Sequence, residues 1–151
     1  MRSHGRSQVV GWILALSLLL FTLPLGKAAA ESNDDFYYRH IAGVLVGEGG
    51  ALGEDYDAMA CVVRNRLARG WTLHNVLAQF HAAYRKPEPA YVDRLIVILQ
   101  GDADPMPEHC DEVYFFYAEW YTKRYANLDV VPVVVVGGNA FYRYEDYRAL
   151  W

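Results

Sequence analysis

The run "GVLVGEGGALGEDYDAMACVVRNR", residues 43–66, decides the fold. It sets a carboxylate, Glu48, at the end of an apolar stretch and puts two glycines directly behind it. Upstream, Phe36, Tyr37, Ile41, Val44 and Leu45 recur at helical spacing after the capping residues Ser32 to Asp35. Gly47, Gly49 and Gly50 stop that helix, so Glu48 stands at or just past its C-terminus. Downstream, Gly53 to Asp57 reads as a turn. Met59, Val62, Val63 and Leu67 then form the stripe of a second helix, which carries Asn65 and Arg66 and stops at Gly70.

Beyond this pair, "TLHNVLAQF" predicts a short helix capped by Thr72, and "HAAYRKPEP" a loop. Pro89 opens a strongly apolar helix through "AYVDRLIVILQ", ended by Gly101. An acidic loop with two prolines follows. "VYFFY" (113–117) reads as a strand and "AEWYTKRYANLD" as helical or irregular. "VVPVVVVGG" and "NAFYRY" read as a hairpin around Gly137-Gly138, with Pro132 marking an edge strand. Four helices followed by a small antiparallel sheet is an α+β layout. "VVVVGG" lacks the G-x-G-x-x-G pattern of a dinucleotide loop.

The first thirty residues have a different character. Arg2 and Arg6 precede an uncharged run from Val9 to Leu25, and Ala28-x-Ala30 follows. This pattern predicts a secretory signal peptide over 1–30, cut after Ala30, with one domain over 31–151. An uncleaved anchor is the alternative, and only then would a membrane be a partner. The expected location is exported: periplasm, cell wall or extracellular space.

Arg2, Arg6 and Lys27 are the only charges in that segment. Residues 31–151 therefore hold 11 of the 14 basic residues and all 18 acidic ones, a formal charge of −7. That balance argues against nucleic acid. The twelve tyrosines suit sugar faces or a core. Cys61 and Cys110 permit one disulfide in an exported protein, while Cys61 reads equally well as a small buried residue. His74, His81, His109 and Cys110 lack metal-ligand spacing, so no metal and no cofactor is expected.

The ordered constellation resembles the SleB-type cell-wall hydrolases, the spore-cortex-lytic enzyme family. Glu48, the glycine loop with Gly53, "AMACVVRNR", Gly101 with Asp104 and Pro105, "VYFFY" and "VGGNAFYR" follow one another as that family's motifs do. Two departures stand out. The family's last motif has a histidine where this chain has Asn139, which donates and accepts hydrogen bonds but carries no proton. The loop after Glu48 has Gly49-Gly50 where an arginine is usual.

The resemblance implies a lysozyme-like fold and cleavage of peptidoglycan glycan strands by lytic transglycosylation. In that chemistry a glutamate protonates the leaving oxygen and the sugar's own C6 hydroxyl attacks, leaving a 1,6-anhydro end. Glu48 fits the acid, because apolar neighbours and a helix C-terminus both push a carboxyl's pKa up. A hydrolase would need a second carboxylate. Among Glu54, Asp55, Asp102 and Asp104 none stands out, with Asp104 favoured by the family loop. Asn65, Asp104, Asn139 and the aromatics Tyr114, Phe116, Tyr117, Phe141 and Tyr142 are the expected substrate contacts. For Asn65 a helix-end cap is the competing reading, and for Arg66 an ion pair with a nearby acid is expected. A catalytically eroded relative that binds peptidoglycan or a partner protein is the alternative function. With no evident wall-binding module, a targeting or accessory protein is a further expected partner.

Overall fold

The computed structural model describes residues 33–49, 51–127 and 129–150. The expected signal peptide lies outside the described residues. The described residues belong to one unit, Ser32–Trp151. Helices α1 (Asn33–Gly47), α2 (Glu54–Ala68), α3 (Leu73–Leu77) and α4 (Pro89–Gln100) come first. Strand β1 (Phe115–Ala118), helix α5 (Glu119–Tyr125), strands β2 (Val134–Val136) and β3 (Asn139–Tyr142) and helix α6 (Asp146–Leu150) follow. The fold is α+β. Among the described residues no helix is long and apolar enough to cross a membrane.

Local chemistry sets most boundaries. Thr72 caps α3, its hydroxyl accepting the Asn75 N–H at 3.3 Å. Pro89 occupies the first turn of α4, and Gly101 closes it in the left-handed region at φ 78°. The hairpin turns at Gly137-Gly138 as expected, and β2 is an edge: the sheet order is β1-β3-β2, antiparallel throughout. Helix α6 was not anticipated in the sequence.

Strand β1 begins two residues later than "VYFFY" suggests. The reason is competition for carbonyls. Asn65 Nδ2 donates to the Val113 oxygen at 2.8 Å and Arg66 Nε to the Tyr114 oxygen at 2.7 Å, so side chains of α2 take the acceptors a ladder would use.

Helix α2 is the central rod. At about 1.5 Å per residue its 15 residues span about 22 Å. It packs on α1 and α4. Ile41 and Leu45 of α1, Tyr56, Met59, Val62 and Val63 of α2, Leu95 and Ile98 of α4, and Phe141 of β3 are fully buried. The sheet is covered on both faces. Phe116, Phe141, Val134 and Val136 face the helical core, while Ala140 and Tyr142 join Leu150, Tyr117, Ala126 and Val130 in a second cluster.

Cys61 and Cys110 are bonded to each other, with Cα atoms 5.1 Å apart. Cys61 is thus both a buried helix residue and a bridge, tying α2 to the loop before β1.

Candidate functional site

Glu48 sits one residue past α1, half-buried. Its Oε1 accepts the backbone N–H groups of His81 at 2.5 Å and Ala82 at 2.8 Å. Those amides belong to a strap, residues 81–85, laid along α1. Arg85 N–H donates to the Gly43 carbonyl at 3.0 Å, and the Tyr84 ring stacks on His40 at 5.8 Å. Two glycines one helical turn apart make the fit possible. A Cβ on Gly43 would collide with the Tyr84 ring, and a Cβ on Gly47 with the Ala83 carbonyl. The expected apolar wall around Glu48 is replaced by this pair of amide donors.

The clamp orients the carboxyl. With both amides on Oε1, a proton carried by Glu48 belongs on Oε2, which has no hydrogen-bond partner among the described residues. Between Glu48 and the first turn of α2, Gly49, Ala51, Leu52 and Gly53 are exposed.

Asp55 stands in that first turn. Asn139 Nδ2 donates to its Oδ1 at 3.1 Å, and Gly137 leaves room for the carboxyl, since a Cβ there would overlap Asp55. Burial pushes the Asp55 carboxyl up from its ordinary value, and the Asn139 hydrogen bond only partly opposes this. Asp57, two residues on, is instead held by Arg94, Nε to Oδ1 at 2.9 Å and Nη2 to Oδ2 at 2.5 Å. Asp55 therefore stands out among the second-carboxyl candidates. One sequence signal bears on it, an acid in the first turn of α2; its partner, Asn139, is 84 residues away.

The other expected contacts are placed differently. Asn65 is buried and donates to the carbonyls of Cys110, at 2.5 Å, and Val113, so it holds the loop before β1 rather than capping a helix end, and it also lines the cavity at the α2–α4 end. Arg66, 3% exposed, has no acid partner among the described residues. Its guanidinium lies over Trp71, Phe80 and Phe115, its Nη1 is buried without a hydrogen bond among the described residues, and burial lowers its pKa to about 10. Phe116 stacks between Phe80 and Phe141. Phe141 and Tyr142 are buried, and Tyr117 packs in the second cluster. Phe116 and Phe141 fill the core, while Tyr142 also lines the cavity between α5 and β2. Tyr114 is half-buried against Arg69 and Tyr144 and lines the same cavity as Asn65. Asp104 is exposed in the 101–112 loop. The exposed rings are others: Trp120 at 65%, with Tyr121 and Tyr125 beside it on α5, and also Phe36, Tyr84, Tyr144 and Tyr147.

Cavities lined by described residues lie between α5 and β2, at the α2–α4 end and under the 106–112 loop. Among the described residues no cluster of three or more His, Cys, Asp or Glu side chains is placed to hold a metal ion.

An α+β fold with an oriented carboxyl at a helix end is what the chain presents. No family model, curated protein or solved structure matches it.

Proposed function

We propose that this chain, exported and of lysozyme-like fold, cleaves the glycan strands of peptidoglycan as a lytic transglycosylase, with Glu48 as its single acid and base. The observation that carries the reading is the clamp on Glu48: one oxygen is fixed by two amides, and the other has no hydrogen-bond partner among the described residues. The order of motifs from Glu48 to Tyr142 supports it.

The step balances with one group. Oε2–H protonates the glycosidic oxygen as the C1–O bond breaks, and the oxocarbenium-like sugar forms. The C6 hydroxyl of the same sugar then bonds to C1 and returns its proton to Oε2. The product carries a 1,6-anhydro end and Glu48 is restored. The amides of His81 and Ala82 stabilise the carboxylate during the interval in which it is charged.

The same clamp favours a second reading, because a carboxylate that anchors a strap already has a structural task. In that case the protein binds glycan without cutting it. Incubating purified protein and its Glu48→Gln variant with peptidoglycan sacculi separates the two. Glutamine keeps the Oε1 acceptor but carries no transferable proton. Soluble muropeptides with 1,6-anhydromuramic ends, absent with Glu48→Gln, are the expected result. Reducing ends would mean hydrolysis and implicate Asp55. No release from several sacculus types would leave the binding reading.

A further inference from the structure

We propose that the cavity at the α2–α4 end binds a peptide carboxylate on Arg64, and that Asp111 holds that place in the free protein. The inference rests on the reading that the partner is peptidoglycan, and it names the part held here, the acidic peptide stem.

The cavity holds about 500 Å³, and Arg64, Leu67, Leu99, Gln100, Asp111 and Tyr114 are among the residues that line it. That volume is in the range of small-ligand sites. Arg64 and Asp111 also line the cavity under the 106–112 loop, so the pair is common to both. Asn65 settles how Arg64 is held. Its Nδ2 donates to the carbonyls of Cys110 and Val113, which only accept, so its Oδ1 is the atom that meets Arg64 Nη1, at 3.4 Å. Arg64 Nη1 also donates to Asp111 Oδ1 at 2.7 Å. Arg64 Nε and Nη2 have no hydrogen-bond partner among the described residues.

A second arginine in the same fold shows what Arg64 lacks. Arg94 grips Asp57 through Nε and Nη2 together, the two-point geometry that makes guanidinium–carboxylate pairs strong. Arg64 meets Asp111 at one point, with 28% of its own side chain and 86% of the Asp111 side chain exposed. A pair of that kind is worth little. An incoming carboxylate that takes two N–H groups of Arg64 therefore displaces Asp111 into water at small cost. Leu67 and Leu99 offer apolar contact, and Gln100 and Tyr114 hydrogen bonds, to the peptide that carries it. Arg69, stacked on Tyr114 at 4.7 Å, adds a second cation beside the cavity. On a chain with a formal charge of −7 over residues 31–151, two arginines at one cavity single it out as the place for an acidic ligand.

The probe is N-acetylmuramoyl-L-alanyl-D-isoglutamine, a one-sugar fragment with a free carboxylate and no link to a second sugar, so it is not consumed. It is compared with its carboxamide and with acetate, by amide NMR titration of the full chain. The acid is expected to move the signals of Ala68, Gln100 and Tyr114, which line the cavity, and to bind at least about tenfold tighter than either control. Arg64→Gln should weaken it about tenfold or more, and Arg64→Lys nearly as much, because lysine keeps the charge and loses the fork. Asp111→Asn should tighten it about twofold to fivefold, since the resident competitor is gone. Arg148→Gln, which removes an exposed charge on α6, should change nothing. The Arg64–Asp111 pair is exposed, so thermal midpoints should stay near the parent's. Equal binding of acid and carboxamide, acetate binding as tightly as the acid, no binding of any probe, unchanged affinity in Arg64→Gln or weaker binding in Asp111→Asn would overturn the inference. Binding of the acid that is lost in Arg64→Gln, without muropeptide release from sacculi, would uphold it and sink the cleavage reading. Muropeptide release by a protein that binds none of the probes would do the reverse.

Discussion

The two ends of α2 are built on opposite terms. From the middle of α2 to its C-terminal end the strong groups turned to the core are enclosed. Cys61 is bridged to Cys110, Asn65 holds two carbonyls, and Arg66 is sealed under Trp71, Phe80 and Phe115. At the N-terminal end the polar groups are held but not exhausted. Among the described residues Glu48 Oε2 and part of the Asn139 amide have no partner, and burial raises the Asp55 carboxyl above its ordinary value. The comparison teaches where to look in a small fold. Enclosed groups mark scaffold, and partly used polar groups held by the backbone mark chemistry.

Substitutions at the two ends should separate accordingly. The largest effect is expected from Glu48→Gln, a loss of about 10²–10⁴ in muropeptide release with the thermal midpoint nearly unchanged. A large fall in the midpoint would make Glu48 a strap anchor first. Next is the bridge. It closes a 49-residue separation, so Cys61→Ser with Cys110→Ser should cost about 4 kcal/mol in denaturant unfolding, on the loop-entropy account. A change under about 1 kcal/mol would show that Asn65 and the core hold this loop without it. Asn65→Ala leaves the Cys110 and Val113 carbonyls unpaired in a buried place and should cost about 2–3 kcal/mol, with sugar binding intact in the folded fraction. Lost binding at full foldedness would return Asn65 to the substrate contacts.

Gly47→Ala sharpens the contrast further. Its methyl group displaces the Ala83 carbonyl, hence the strap and the two amides on Glu48. The expected outcome is about 1–3 kcal/mol of stability and a reduced release rate although Glu48 is untouched. An unchanged rate would mean that the clamp does not orient the acid.

The smallest effects are in pH. The folded Asp55 carboxyl is raised above its ordinary value near 3.8, so the native state holds the extra proton. Its contribution to stability is full below that value and is lost as pH rises through the raised one. Glu112, at the other end of α2, is lowered from 4.5 by its hydrogen bonds to His109 and Arg143. Its contribution is present above 4.5 and is lost as pH falls. Thermal midpoints followed from about pH 3 to pH 6 should show the Asp55→Asn variant declining less on the alkaline side and Glu112→Gln less on the acid side. The same slope in both variants would contradict the opposed directions.

Much of the frame was legible before any coordinates. The α1 stop at Glu48, the Thr72 cap, the Pro89 start, the Gly101 stop and the hairpin at Gly137-Gly138 all hold. The aromatic residues were misassigned for a physical reason. Alternation along a strand tells which residues share a face, but not whether that face meets solvent. Here both faces of the sheet are covered, so Phe116, Phe141 and Tyr142 are enclosed, and the exposed rings lie off the strands, Phe36, Tyr84, Trp120 and Tyr144 among them. Arg66 was expected to seek an acid and lies under aromatic rings instead, a choice that depends on Trp71 and Phe115 arriving from separate segments.

What the sequence by itself determined was therefore local: helix ends, turn positions and a carboxylate set just beyond α1. Those features depend on capping, proline and glycine, whose effects reach only a few residues along the chain. Which polar groups would be spent and which left free was decided by tertiary structure alone. Asn65 finds its carbonyls 45 and 48 residues away, Glu48 its amides 33 and 34 away, and Asn139 its carboxylate 84 away. A hydrogen bond is satisfied by whatever donor or acceptor folding brings within about 3 Å, and no pattern in the neighbouring residues records that choice.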